Sequence, residues 1–206
     1  MMQINDHTLI LLAGAPGTGK TYTEDIIKEK MPGLVAIPLD LIKEHLYDEI
    51  GFDNPTEKRA LDDMAYLRFY QAIQYLMNIE KPIIADYPFS YVQKEKLEDL
   101  GKQFDYQIIT VRLEADIKVL YERAMKRDLE GPRHLGLKMN HYHRGDNNPS
   151  EIDVDGLPSF ETFETRAKER GYQTFSVGKL ITLDVSDYSN IEYDKFLKKL
   201  QQEVCR

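Results

Sequence analysis

The chain has 206 residues, of which 42% are apolar and 30% charged; this excludes a disordered or collagen-like chain and allows one compact domain, with or without a sizeable insertion. Its 27 basic and 35 acidic residues leave a net charge of −8, which argues against nucleic acid as a general partner, although a local basic groove stays open. The single cysteine, Cys205, excludes an internal disulfide. The first apolar run, Leu9–Ala13, is too short to span a bilayer and follows no basic segment, so a cytoplasmic setting with no membrane partner is expected.

In chain order, Thr8–Ala13 reads as a buried strand and Lys20–Lys30 as a helix. Between them Gly14-Ala15-Pro16-Gly17-Thr18-Gly19-Lys20-Thr21 matches G-x-x-x-x-G-K-[ST] at every fixed position, in the strand-to-helix setting that this phosphate-binding loop requires. The glycines let the backbone curl closely around a diphosphate, and the helix start adds its positive dipole end. Lys20 is placed to reach the β- and γ-phosphates, and the Thr21 hydroxyl to bind the accompanying magnesium.

A second strand is expected at Val35–Leu39, then helices at Leu41–Ile50 and Pro55–Ile79. Further strands read at Pro82–Ala85, Tyr106–Leu113 and Leu180–Val185; further helices at Tyr91–Leu100, Ala115–Leu129, Ser159–Arg170 and Ile191–Val204. Strands alternating with helices imply a doubly wound α/β fold with a five-stranded parallel sheet covered on both faces, as the unbroken apolar runs LILLA and PIIA also suggest. The exception is about 128–178, crowded with glycine, proline, histidine and asparagine (Gly131-Pro132, His141, Asn147-Asn148-Pro149), which is too long for an idle connection and reads as a lid.

Two aspartates close the second and third strands, Asp40 and Asp86. In parallel α/β sheets ligands bind at the carboxyl ends of strands, so both are expected on the rim that carries the P-loop. Each has a plainer reading, Asp40 as the N-cap of the helix that follows it and Asp86 as a turn residue. His134, His141 and His143 do not make a persuasive zinc set, since no cysteine accompanies them.

With the P-loop, Asp40, Asp86 and Tyr106–Ala115 leading into Leu120–Arg127, the chain resembles the small P-loop kinases related to adenylate, shikimate and gluconate kinases. It is nearest in style to the group of chloramphenicol phosphotransferase, the zeta toxins and polynucleotide kinase. The resemblance implies one P-loop kinase domain over 1–206 with its lid at about 128–178. ATP and Mg2+ are its implied cofactors and a small-molecule hydroxyl its acceptor. It implies that Asp40 accepts the hydroxyl proton within a D-x-x-R pattern, in which Lys43 replaces the arginine. Asp86 and Thr21 then organise magnesium, while Arg127, with Arg133 and Arg144 available beside it, offsets charge on the transferred phosphoryl group. Arg123 is expected near the P-loop or the adenine, although Arg123 and Arg127 also read as an ordinary solvated helix face. Asp40, Lys43, Asp86, Arg133 and Arg144 are the candidate substrate contacts. Alternatives are a polynucleotide 5′-hydroxyl kinase, a toxin-type nucleotide-sugar kinase, and a non-catalytic module whose lid closes over ATP to recruit a partner.

Overall fold

A computed structural model describes residues 4–146 and 154–205; Asn147, Asn148 and Pro149 of the turn-rich stretch lie outside them. Five parallel strands, β1 (Thr8–Ala13), β2 (Val35–Ala36), β3 (Ile83–Asp86), β4 (Gln107–Glu114) and β5 (Lys179–Asp184), form one sheet in the order β2-β3-β1-β4-β5. The chain leaves β1 to build one half of the sheet and then crosses over it to build the other. The loop after β1 therefore sits where the winding reverses, which is where such sheets bind ligands.

Every residue of β1 is buried, and its alternating side chains enter two separate cores. Leu9, Leu11 and Ala13 pack with Leu46, Phe69, Phe89 and Leu97 on one face. Ile10 and Leu12 pack with Ile27, Leu197 and Leu200 on the other. The first face is covered by α2 (Leu39–Ile50), α3 (Pro55–Asn78) and α4 (Tyr91–Phe104), and the second by α1 (Lys20–Lys30) and α8 (Tyr193–Val204). This is the three-layer fold that alternating strands and helices require. The edge strand β5 alone alternates exposed and buried residues along its second half.

The second strand is shorter than its apolar run suggests. Val35 and Ile37 still donate backbone hydrogen bonds to the carbonyls of Pro82 (2.8 Å) and Ile84 (3.0 Å). Pro38, with no N–H to give, then ends the ladder and becomes the N-cap of α2. Helix α2 therefore begins at Leu39, and Asp40 lies within its first turn, so the N-cap reading of Asp40 falls.

Helix α3 starts with a better cap: the Asn54 side chain accepts from the backbone N–H groups of Thr56 and Glu57, and Pro55 opens the helix. Asn54→Ala is expected to lower stability by about 0.5–2 kcal/mol, read as a fall in melting temperature with nucleotide affinity unchanged.

Beyond α5 (Ile117–Glu130) the chain forms a single short turn, α6 (Leu135–Lys138), and then α7 (Phe160–Arg170), which packs Phe163 against Leu120 and Ala124 of α5. The α6 segment is fastened to the end of α2 by a two-residue bridge between Phe52 and Tyr142. No helix among the described residues is long and apolar enough to cross a membrane.

Candidate functional site

The P-loop conformation depends on its glycines. Gly14, Gly17 and Gly19 all have positive φ. A Cβ on Gly14 would lie 2.6 Å from the Leu113 carbonyl oxygen, and one on Gly17 would lie 2.3 Å from that of Leu120, so both strain and space demand glycine. Helix α1 begins after Gly19 with no side-chain cap, which leaves its first N–H groups facing the loop. The Lys20 ammonium folds back to donate to the carbonyls of Gly14 (3.0 Å) and Ala15 (3.2 Å). Burial pulls its pKa down to about 8, with Asp86 and Asp40 resisting and Arg127 and Arg133 assisting.

Asp86 ends β3 directly beside this loop, paired in register with Leu12. Its carboxylate accepts a 2.7 Å hydrogen bond from the Thr21 hydroxyl. Burial pushes the Asp86 pKa up, against the Thr21 hydrogen bond and the Lys20 charge. A hydroxyl and a carboxylate this close, next to uncapped helix N–H groups, are a donor set that suits a hard divalent cation escorting phosphates.

The lid side contributes a chain of ion pairs. Asp128, buried near the end of α5, accepts from Arg127 Nε at 2.7 Å and from Arg133 Nε at 3.1 Å through the same oxygen. Arg133 also reaches Asp40, its Nη2 standing 3.3 Å from Oδ2. The buried Lys138 ammonium donates to the Asp128 backbone carbonyl at 2.9 Å. One carboxylate thus fixes two arginines, one of which touches Asp40.

P-loop, Asp40, Asp86, Arg127 and Arg133 all line one cavity of about 880 Å³. Its other wall is polar and aromatic. Lys43 is buried with its ammonium 3.1 Å from Asp62 and 3.3 Å from the Tyr87 hydroxyl, and over the rings of Tyr66 and Tyr87. Burial alone would lower its pKa, but Tyr66, Asp62, Tyr47 and Asp40 outweigh that and raise it. Tyr47 donates a 2.5 Å hydrogen bond to Asp62, and the Tyr66 and Tyr87 hydroxyls are 2.6 Å apart. Lys58, Asp62 and Tyr66 project from α3 at intervals of four residues and so share one helix face.

Arg123 also lines the cavity, but it is held from behind: it donates to the carbonyls of Val185 (2.6 Å) and Ser186 (2.8 Å). Its guanidinium lies 3.8 Å from the centre of the Tyr188 ring, whose hydroxyl donates to the Gly17 carbonyl at 2.9 Å. The solvated-face reading of Arg123 therefore fails. Arg144, expected among the substrate contacts, is exposed beyond the Phe52–Tyr142 bridge and is not part of the cavity wall. The three histidines face three different aspartates, His134 Asp48 (3.1 Å), His141 Asp155 (3.5 Å) and His143 Asp53 (2.8 Å). His134 also caps α6 by accepting from Gly136 N–H. These pairs tie the α6 segment together, to α2 and to the loop after it.

Asp62, Lys58, Asp128 and Tyr188 were not singled out from the sequence. The four-residue spacing of Lys58, Asp62 and Tyr66 beside the apolar stripe Leu61, Ala65 and Phe69 was the one available signal for the first two. Asp128 sits in a lysine- and arginine-rich helix end, and Tyr188 in a short 3-10 turn, Tyr188–Asn190.

The fold has counterparts of known structure. A Chloroflexus aurantiacus protein described as a kinase superposes with a TM-score of 0.68 at 22% identity over 95% of this chain and 97% of its own. A gluconokinase from Sinorhizobium meliloti gives 0.56 at 16% identity, covering 97% and 96%. The tunicamycin resistance protein of Deinococcus radiodurans gives 0.55 at 17% identity, covering 95% and 94%. At these identities the likeness establishes the shared P-loop kinase fold. No curated protein sequence matches the chain. Residues 2–141, running from before β1 through the P-loop, both rim aspartates and the lid arginines, match the zeta toxin family, and the chain belongs to that family.

Proposed function

We propose that the protein is an ATP-dependent phosphotransferase that moves the γ-phosphoryl group to a hydroxyl of a small molecule. The observation that carries this reading is the meeting, in one cavity, of the P-loop, the Thr21–Asp86 pair, Asp40 and two arginines held by Asp128. The P-loop N–H groups and Lys20 bind the triphosphate, and the Arg123–Tyr188 stack offers a wall for the nucleotide beside Gly17 and Gly19. Thr21 and Asp86 hold magnesium, which when bound neutralises charge on the phosphate oxygens.

Asp40 accepts the proton of the acceptor hydroxyl as its oxygen bonds to the γ-phosphorus and the bond to the β–γ bridging oxygen breaks, releasing ADP. Arg127 and Arg133 face the charge that spreads over the transferred group. Arg133 is paired with Asp40 at the outset, so the base is freed as that arginine turns toward phosphate.

The single-domain organisation over 1–206, with 128–178 as its lid, is part of this proposal. Membership of the zeta toxin family favours a toxin-type kinase acting on a nucleotide sugar as the second reading. A transfer screen with radiolabelled ATP over sugars, sugar nucleotides, nucleosides, antibiotics and oligonucleotides tests all of these. Acceptor-dependent labelling supports a kinase; tight ATP binding with no labelled product in any arm overturns the catalytic reading in favour of a binding module.

A further inference from the structure

The charge in the cavity is lopsided. Nine lysines and arginines line it against four aspartates, in a protein whose net charge is −8. That surplus is larger than a magnesium-bound triphosphate cancels.

The surplus has a definite location. Of the five arginines in the wall, Arg123, Arg127 and Arg133 are held by carbonyls or carboxylates. Arg166 and Arg170, one turn apart on α7, have no carboxylate partner among the described residues, and the group that feels both is Tyr172. Tyr172 in turn lies in the field of Tyr66 and Lys43, which line the same cavity.

Lys58 lines the same cavity from α3. It donates to the Met139 carbonyl at 2.7 Å and lies over the Phe52 ring, again with no carboxylate within ion-pair distance among the described residues. Burial holds its pKa down to about 8, with Lys43 and Arg133 assisting against Asp62 and Asp155. A cation kept half-buried without a counter-ion gains most from an anionic ligand. Lys43, more deeply buried than Lys58, is already neutralised by Asp62, and Asp62 with the Tyr47, Tyr66 and Tyr87 hydroxyls supplies donors and acceptors suited to a hydroxyl-rich molecule.

We propose that the acceptor carries an anionic group, carboxylate or phosphate, bound by Lys58, Arg166 and Arg170 of the cavity wall, with its hydroxyls over Asp62 and the tyrosines. This deepens the kinase reading of the same site and rests on it. Neutral polyols and sugars lack the group these three cations await.

Calorimetric titration in the presence of ADP and magnesium tests it with matched probes: glucuronate, glycerate and glucose 6-phosphate against glucose and glycerol. At least one acid is expected to bind wild-type protein tenfold or more tightly than its neutral counterpart, the carboxylate and phosphate arms telling which anion is taken. K58M and R170M are each expected to weaken that acid by about 10- to 100-fold while ADP affinity stays unchanged. Equal affinity for acid and neutral probes, no binding by any acid, undiminished affinity in both variants, or binding confined to oligonucleotides overturns the proposal. Acid binding without phosphoryl transfer from labelled ATP leaves the anion site standing and defeats the kinase reading; transfer to neutral acceptors alone does the reverse.

Discussion

Asp40→Asn is expected to lower kcat by about 10²–10⁴-fold, the usual worth of a general base, with the KM for ATP changed by no more than about threefold if only the proton acceptor is lost. Asparagine keeps the shape and hydrogen-bonding reach of the side chain, and Asp40 is in the first turn of α2 rather than at its N-cap, so the helix loses only a dipole interaction of about 0.3–1 kcal/mol. The substitution also removes the carboxylate that Arg133 contacts at 3.3 Å, freeing that arginine for phosphate, which makes loss of ATP affinity still less expected. A steady-state assay with the acceptor found by the transfer screen reads the outcome. A kcat within a few-fold of wild type removes Asp40 from the base role.

Lys20→Ala is expected to abolish measurable ATP binding or weaken it by about 10²-fold or more. Two charge-assisted hydrogen bonds to phosphate are worth about 3 kcal/mol or more together, and each 1.4 kcal/mol is about tenfold in affinity. In the protein the ammonium is already buried and turned onto the loop carbonyls of Gly14 and Ala15, so little side-chain ordering is needed when phosphate arrives. The loop backbone itself is set by its glycines and their contacts with Leu113 and Leu120, and it survives loss of the lysine. Calorimetric titration with ATP and magnesium, alongside a melting curve to show retained fold, checks this. Unchanged affinity would remove Lys20 from phosphate binding.

What the sequence disclosed follows from how local the cause is. Strand β1, the P-loop and α1 were legible to the residue because an apolar run, three glycines and a helix-forming segment are consecutive. The α/β order and the two-faced core followed from the same logic, and the match to the zeta toxin family and to P-loop kinase folds agrees with it. Strand β2 was overextended because the apolar run Val35–Leu39 conceals a proline that changes partner from sheet to helix.

The acceptor wall was largely hidden. Lys58 and Asp62 look like solvated helix positions until α2 and the α6 segment cover them, and nothing local marks Asp128 as the residue that ties Arg127 to Arg133. Arg144 is near these residues in sequence, but it follows the Phe52–Tyr142 bridge and does not line the cavity.

The sheet order also sets the sequence of events during synthesis. Strand β1 is made well before both of its sheet neighbours, β3 ending at Asp86 and β4 at Glu114. The glycine turn beyond it leans on carbonyls of Leu113 and Leu120, later still. Parallel pairing across such separations is slow and exposes apolar strands meanwhile. The phosphate cradle, written at Gly14–Thr21, is therefore assembled only after the chain as far as Leu120 has been made. Until then LILLA is a naked sticky segment that a nascent-chain chaperone is expected to hold.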